Sequence, residues 1–428
     1  MGSPLWVFAT LYLSFKFVVV RSFTFPCNER PVYQTFINVH DDDTYDWFLL
    51  SRRKSLSRTI PFIVSGCIVN SVPSLTFAGT SFKEDESMFG IGNDEVSSLV
   101  YKEMLGAGSF KTVYMVEGTL GKKYALSVQK LRGKDDVRDA LQGIQISDYL
   151  QEEMKKTGEN GNLFEKILAW WIQPTALSDF GSDKSVFPNT LSLTQRTHKV
   201  PKKFLGSKWL VALKPLYDID LKHFSQKFPQ RYPVGTQFVH NLPRGYVLTI
   251  ALHLCHAGRL MHKAGVVHRD IKPKNIMLSD GIPVIIDFGF SRVVNNIGKD
   301  GRICVSEPGR VRGEASYVLA TDVKESKGCQ EGDCYAMGKS LYEFIFGQAL
   351  NGSSSKVSIT VEEAEHRNSM FLSLLEDHHS VQSSRFMLSE GERLLLLEVI
   401  RGLCKKTSPL SFREAEMILC NGMGKIQY

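Results

Sequence analysis

Residues 266–292 read VVHRDIKPKNIMLSDGIPVIIDFGFSR, and no other stretch of the chain limits its fold so tightly. His268, Arg269 and Asp270 are followed by Lys272 and Asn275, and Asp287 comes twelve residues after Asn275, ahead of Phe288 and Gly289. The apolar runs around Asp280-Gly281 read as a hairpin. Just upstream, GYVLTIALHLCHAGRLMHKAG (245–265) reads as a strongly apolar helix closed by Gly265. Further upstream, residues 100–130 alternate as strand, glycine turn and strand, 135–156 have a helical pattern, and KILAWWI (166–172) and WLVALKPL (209–216) read as strands.

The 266–292 segment, with HRD-x-K-x-x-N and then DFG, resembles the catalytic and metal loops of eukaryotic-type protein kinases. The resemblance extends over about residues 98–425. Phosphoryl transfer needs the attacking oxygen and the leaving group in line and the charge neutralised. The resemblance implies that Asp270 accepts the substrate hydroxyl's proton, Lys272 meets the γ-phosphate, and Asn275 and Asp287 offer oxygens to Mg²⁺, a hard ion. Lys272 makes the loop similar to that of Ser/Thr kinases rather than Tyr kinases. Asp333 and Gly338 in GDCYAMGKSLYEF match the helix that anchors this loop.

The amino-terminal part departs from the pattern. The family opens on a glycine-rich hairpin followed by a strand of the form V-A-x-K, whose lysine holds the ATP phosphates. Here LGAGSFKTVY (105–114) is followed by YALSVQK (124–130), and Ser127 stands where the lysine belongs. In a strand, residues i and i+2 share a face. Val113 matches the valine that packs on adenine, so Lys111 faces the same cleft nearer the phosphates. Ala125 and Ser127 face it from the next strand, and Ser127 leaves room for a neighbouring side chain. Lys130 has the opposite parity and is expected to point outward. GAGSFKTVY therefore resembles the with-no-lysine kinases, which carry lysine at the third glycine place. Gly106 and Gly108 let the loop backbone approach phosphates.

Other positions also differ. The family's helix glutamate has no clear counterpart, and Gln145, Asp148 and Glu152 are equal candidates. In GEASYVLATD (313–322), Glu314 stands for the family threonine, and Thr321 or Asp322 for its final glutamate. The late arginine that pairs with that glutamate is replaced by Phe412, so both ends of the pair are expected to be absent and no charge is left buried alone. Pro215, which has no N–H, falls near the adenine-binding position. Arg269 is a candidate clamp for phosphorylated Ser306 or Ser316, or bonds to local carbonyls. Trp170 and Trp171 are expected in the core.

Of 428 residues, 43% are hydrophobic, enough for a sizeable core in two or three domains. The formal charge of +7 suits a solvated basic face or anionic ligands. Eight cysteines include no C-x-x-C pair, which argues against a structural zinc site. Most are expected as small buried hydrophobes, and Cys27 and Cys67 are candidates to pair in an exported chain. Leu5 to Phe15 is an apolar run of signal-peptide length, broken by Lys16 and too short to span a bilayer. It is expected to direct secretory entry, the alternatives being a signal anchor or an extension on a cytoplasmic protein. SRRKSLSR (51–58) follows YDWFLL and offers a membrane-surface segment or a plain surface loop or short helix. Residues 174–207 read as a loop insertion, and Asn351-Gly352-Ser353 is a glycosylation acceptor triplet. Nothing resembles a nucleic-acid reader.

The strand WLVALKPLYDIDL, with a proline followed by Asp-Leu, resembles the secreted rhoptry kinases of apicomplexan parasites. The signal-like start agrees, as does SFKE (81–84), which fits their S-Φ-x-E processing pattern. The expectation is an α+β, bilobal protein kinase fold: a small antiparallel β-sheet lobe with one helix (about 96–214) and a larger, mainly helical lobe (about 215–425). Ahead of it stand a signal peptide or anchor (1–21) and an extension (22–95) processed near residue 84. The implied activity is transfer of phosphate from ATP, with Mg²⁺, to a Ser/Thr hydroxyl of a protein substrate. The alternative is a catalytically inactive pseudokinase acting as a scaffold.

Overall fold

The chain divides into two compact units, Met1–Gly90 and Ile91–Tyr428. The computed structural model describes the backbone of strands between residues 7 and 69. In the second unit it describes residues 99–107, 111–118, 121–132, 134–173, 208–227, 245–294, 303–306, 313–347, 360–376, 384, 386–406 and 408–426. Gly108, Cys27, the basic residues 52–58, SFKE (81–84), the 174–207 insertion and the Asn351 triplet lie outside the described residues.

In the first unit β1 (Val7–Leu13), β2 (Lys16–Phe25), β3 (Val32–Asp41) and β4 (Thr44–Ser51) form an antiparallel sheet in chain order. Residues 7–13 of the apolar amino-terminal run are β1 of this sheet. A separate hairpin joins β5 (Phe62–Val64) and β6 (Cys67–Val69). Among the described residues, no helix is long and apolar enough to cross a membrane.

The second unit opens with β7 (Val100–Ala107), β8 (Lys111–Glu117), β9 (Lys123–Leu131), helix α1 (Lys134–Thr157), β10 (Ala169–Gln173) and β11 (Lys208–Pro215). The five strands form an antiparallel sheet in the order β10-β11-β9-β8-β7. Strand alternation sends neighbouring residues to opposite faces. One face buries Val116, Tyr124, Leu126, Val128, Trp171 and Val211. The other packs Leu131 and Leu210 on Ala140, Leu141 and Ile144 of α1, with Trp170 against them. The adjacent tryptophans thus serve two cores, one on each side of the sheet. On α1 the buried positions Ala140, Ile144, Ser147, Leu150 and Met154 recur at helical spacing.

The remainder is mainly helical. β12 (Ile219–Asp220) leads into α2 (Leu221–Lys227), and α3 (Tyr246–Lys263) precedes β13 (Val266–Val267). Then come the hairpin strands β14 (Ile276–Ser279) and β15 (Ile282–Ile285), followed by β16 (Arg292–Val293). β17 (Cys304–Ser306), α4 (Ala320–Glu325) and β18 (Lys327–Cys329) lead to α5 (Gln330–Phe346), α6 (Val361–Glu376), α7 (Glu390–Leu403) and α8 (Phe412–Met423). Gly265, at φ 74°, ends the α3 segment, since the left-handed region suits glycine. Ser389 with Glu392 and Ser411 with Glu414 form reciprocal capping boxes that start α7 and α8. Buried Glu392 also accepts the Gly245 N–H at 2.8 Å and so ties the start of α7 to that of α3.

Two expectations are corrected. Most of the eight cysteines are expected as buried hydrophobes, but Cys304 and Cys329 form a disulfide that joins β17 to β18. Cys255, Cys334 and Cys404 are buried free thiols, as expected. The late ion pair is only half missing. Phe412 is buried on α3, where a Cβ on Gly258 would come within 2.4 Å of its ring. Asp322 keeps a carboxyl, which burial and nearby Asp333 and Glu331 raise well above the usual carboxylate range. Gly332 makes room for it: a Cβ there would lie 2.0 Å from Asp322 Oδ2.

Candidate active site

The turn after β13 gathers the polar residues of the lower lobe. Asp333, buried on α5, accepts the backbone N–H groups of His268 and Arg269, each at 2.8 Å. This holds Arg269 at a left-handed φ of 68°. Gly313 allows a further close approach, because a Cβ there would lie 2.4 Å from the Arg269 carbonyl. His268 Nδ1 accepts from the Asp270 N–H at 3.2 Å, so Nε2 carries the proton and donates to the Ile286 carbonyl at 3.1 Å. The Arg269 guanidinium donates through Nε to the Phe290 carbonyl at 2.6 Å, which is the local-carbonyl arrangement.

Asp270 is buried, and its carboxylate is surrounded by donors. Lys272 Nζ lies 2.9 Å from Oδ2, Asn275 Nδ2 donates to Oδ2 at 2.8 Å, and the Glu314 N–H donates to Oδ1 at 3.1 Å. Burial pushes the Asp270 carboxyl above its ordinary value, against the opposing pull of Lys272. Lys272 also lies 3.6 Å from the Glu314 carboxylate. Glu314 therefore contacts both Asp270 and Lys272 from the place of the family threonine.

The upper wall comes from the sheet. Val113 pairs with Ser127, Lys111 with Gln129, and Met115 with Ala125, so Lys111, Val113, Ala125 and Ser127 share one face. Gly106 pairs with Val113, and a Cβ on it would meet nothing within 4 Å. Lys111 Nζ lies 3.0 Å from Asp287 Oδ2, with a quarter of its side chain exposed. Burial would lower the Lys111 ammonium, but Asp287 and Glu165 outweigh it and raise it. Burial would likewise raise Asp287, but Lys111 and then Lys214 hold it well below the usual carboxylate range. Lys130 is exposed on the other face, its ammonium 5.7 Å from the Trp209 ring centroid.

Two residues of this site went unread in the sequence. Glu165, between α1 and β10, is buried, and its Oε1 lies 2.5 Å from Lys214 Nζ on β11. Its other oxygen accepts the Asp287 N–H at 3.3 Å. The lysine left a signal, being a charged residue inside the apolar strand WLVALKPL. The glutamate left none. Of the three helix candidates, Gln145 and Glu152 are exposed and Asp148 is half-buried. Where α1 meets the DFG turn it carries Gly143, and a Cβ there would lie 3.0 Å from Gly289 N. The helix comes too close to that turn for a long acidic side chain at this point.

The donor set fits Mg²⁺: Asp287 supplies carboxylate oxygens and Asn275 an amide oxygen, while the Asn275 nitrogen is committed to Asp270. Hard oxygen donors with no sulfur suit that ion.

This two-lobed α+β arrangement, with its paired catalytic and DFG turns, is the protein kinase fold. Residues 237–407 match the family model for the protein kinase domain. The chain is similar to a probable serine/threonine-protein kinase of Corynebacterium efficiens, with 34% identity over 118 residues, 27% of this chain and 17% of the relative. A probable serine/threonine-protein kinase of Clostridium perfringens is 26% identical over 127 residues, 29% of this chain and 18% of the relative. Serine/threonine-protein kinase PknL of Mycobacterium tuberculosis is 31% identical over 105 residues, 24% of this chain and 25% of the relative. The chain thus spans only 17–25% of the length of these relatives.

Proposed function

We propose that this protein is a serine/threonine protein kinase that uses ATP and Mg²⁺, with its phosphate-binding lysine displaced to Lys111. The observation that carries the reading is the meeting of Lys111 with Asp287 at 3.0 Å, beside a cluster in which Lys272 and Asn275 both donate to Asp270. Asp270 orients the substrate hydroxyl and takes its proton as the oxygen attacks the γ-phosphorus. Lys272 and Lys111 offset charge on the phosphate oxygens, and ADP leaves. Val113 and Ala125 pack on the adenine. Asn275 and Asp287 hold Mg²⁺, which when bound neutralises phosphate charge. The kinase names of the similar proteins support the class of reaction.

The signal-like start, the proline-Asp-Leu linker and SFKE support entry into the secretory pathway and export by a parasite to host or vacuolar proteins, as in the rhoptry kinases. The basic residues 52–58 would serve membrane-surface association. Localisation of the tagged full chain tests this, and a cytoplasmic distribution would overturn it.

One observation favours the second reading, a pseudokinase scaffold: Pro215, which ends β11, offers no N–H to an adenine. Incorporation of radiolabelled phosphate by the full chain decides between them. Transfer that falls by about 10²–10⁴ in Asp270→Asn supports the kinase. Equal incorporation by parent and variant would leave the scaffold.

A further inference from the structure

Glu165 holds three segments together. Its N–H donates to the Ile285 carbonyl at 2.9 Å, and its own carbonyl accepts from Ser147 Oγ of α1 at 2.6 Å. Its carboxylate divides between Lys214 Nζ of β11 and the backbone N–H of Asp287. Both side chains are largely sealed, with Lys214 13% and Glu165 5% exposed. Asp287 itself sits at a left-handed φ of 67°, a region that few residues other than glycine, asparagine and aspartate adopt.

A charged acceptor binds an N–H more strongly than a neutral one, and a buried carboxylate persists only with a partner. Lys214 is that partner. It lies on the cleft face of the sheet, paired in register with Ala125, two residues along from the Ala212–Ser127 pair. The glutamate that α1 cannot carry at Gly143 thus has a substitute from the segment after the helix, and its target differs. Besides its through-space pull on the Lys111 ammonium, it holds the backbone N–H of Asp287, the residue that Lys111 contacts.

We propose that Glu165, paired with Lys214, is the positioning residue of this site: it acts through the Asp287 N–H to set the carboxylate that would face Mg²⁺. The proposal rests on the kinase reading of the site. Loss of a group that orients a metal ligand typically weakens metal binding by about 10–100-fold.

The experiment uses the full chain, Glu165→Gln, and the double variant Glu165→Gln with Lys214→Met. Three quantities are read: the thermal midpoint without ligand, the Mg²⁺ concentration giving half of the ADP-induced thermal shift, and transfer at saturating ATP. Glu165→Gln should lower the unliganded midpoint, because Lys214 is left buried alone, and raise the half-effective Mg²⁺ concentration by about tenfold or more. The double variant removes both charges, so the midpoint should recover while the Mg²⁺ requirement stays raised. Recovery of both would overturn the proposal, since Glu165 would then be a packing element only. A Mg²⁺ requirement equal to the parent's in Glu165→Gln would do the same. If the parent transfers no phosphate but the Mg²⁺ shift follows this pattern, the positioning role stands and the kinase reading falls. If ADP and Mg²⁺ leave the parent's midpoint unmoved, both fall.

Discussion

The lower catalytic turn and the upper sheet wall face the same chemistry but are held in different ways. Below, Asp270, Lys272 and Asn275 lie within six consecutive residues, fixed by backbone hydrogen bonds to Asp333 and by packed helices. Above, Lys111, Lys214, Glu165 and Asp287 come from four separate segments and are joined by two ion pairs and by the hydrogen bond from the Asp287 N–H to Glu165. A site built on one turn is constrained as a unit, because moving any residue disturbs a shared backbone. A site built on ion pairs can exchange its members, provided no charge is left buried alone. The two halves differ accordingly: Ser127 stands at the strand-lysine place of the resembled pattern, while Asp270, Lys272 and Asn275 are all present in the turn.

The sharpest way to break this contrast is to remove packing from the lower lobe. Phe412→Ala deletes a fully buried ring against Gly258 and should cost about 3–5 kcal/mol of stability. Denaturant unfolding measures it. A cost near zero would show that packing does not carry the lower half.

The next test addresses charge above. Lys111→Met should reduce transfer by about 10²–10³, equivalent to about 2.7–4 kcal/mol of transition-state stabilisation, with much less effect on unfolding. Equal transfer by Lys111→Met and the parent would show that the displaced lysine does not serve the phosphates.

A third test uses pH. His253 is buried within α3, with Nδ1 donating to the Thr249 carbonyl at 3.0 Å, and burial followed by His256 lowers it to about 4. Its ordinary value is 6.5, so the unfolded chain takes up the proton first. Its contribution is therefore complete above pH 6.5 and is lost as pH falls through 4, by about 3 kcal/mol at most. Thermal midpoints of the parent and His253→Gln across this range check it. Parallel pH profiles would show that another group governs the acid limb.

The same contrast explains what could be read from the sequence. The helix expected over 135–156 is α1, and the strands expected over 166–172 and 209–216 are β10 and β11. Their apolar periods are local signals. The facing of Lys111 was legible because strand parity is local too. Glu165 was not, because its role depends on β15 and β11 meeting the end of α1, and nothing in NLFEKI marks a site. Nor was the Cys304–Cys329 pair, which depends on β17 meeting β18 across 25 residues. Asp322 was misread for a related reason: nothing local in GEASYVLATD marks a buried carboxyl beside Asp333 and Glu331, seated in the space that Gly332 leaves.

The smallest expected effect is also the most exacting test of the parity argument. Lys130 lies on the same strand as Ser127, three residues on, and is the lysine nearest the lost position in sequence. Proximity along the chain would nominate it as the replacement. Its odd offset turns it to the outer face, over the Trp209 ring, and an exposed cation–π contact is worth about 0.5–1 kcal/mol. Lys130→Met should therefore lower stability by no more than about 1 kcal/mol and leave transfer within about twofold of the parent, as for a surface substitution away from the site. Steady-state transfer rates for Lys130→Met and Lys111→Met, measured side by side, separate the two lysines. A large loss in Lys130→Met would mean that β9 turns in solution to present its outer face to the cleft, and the charge wall would then have to be redrawn around Lys130 rather than Lys111.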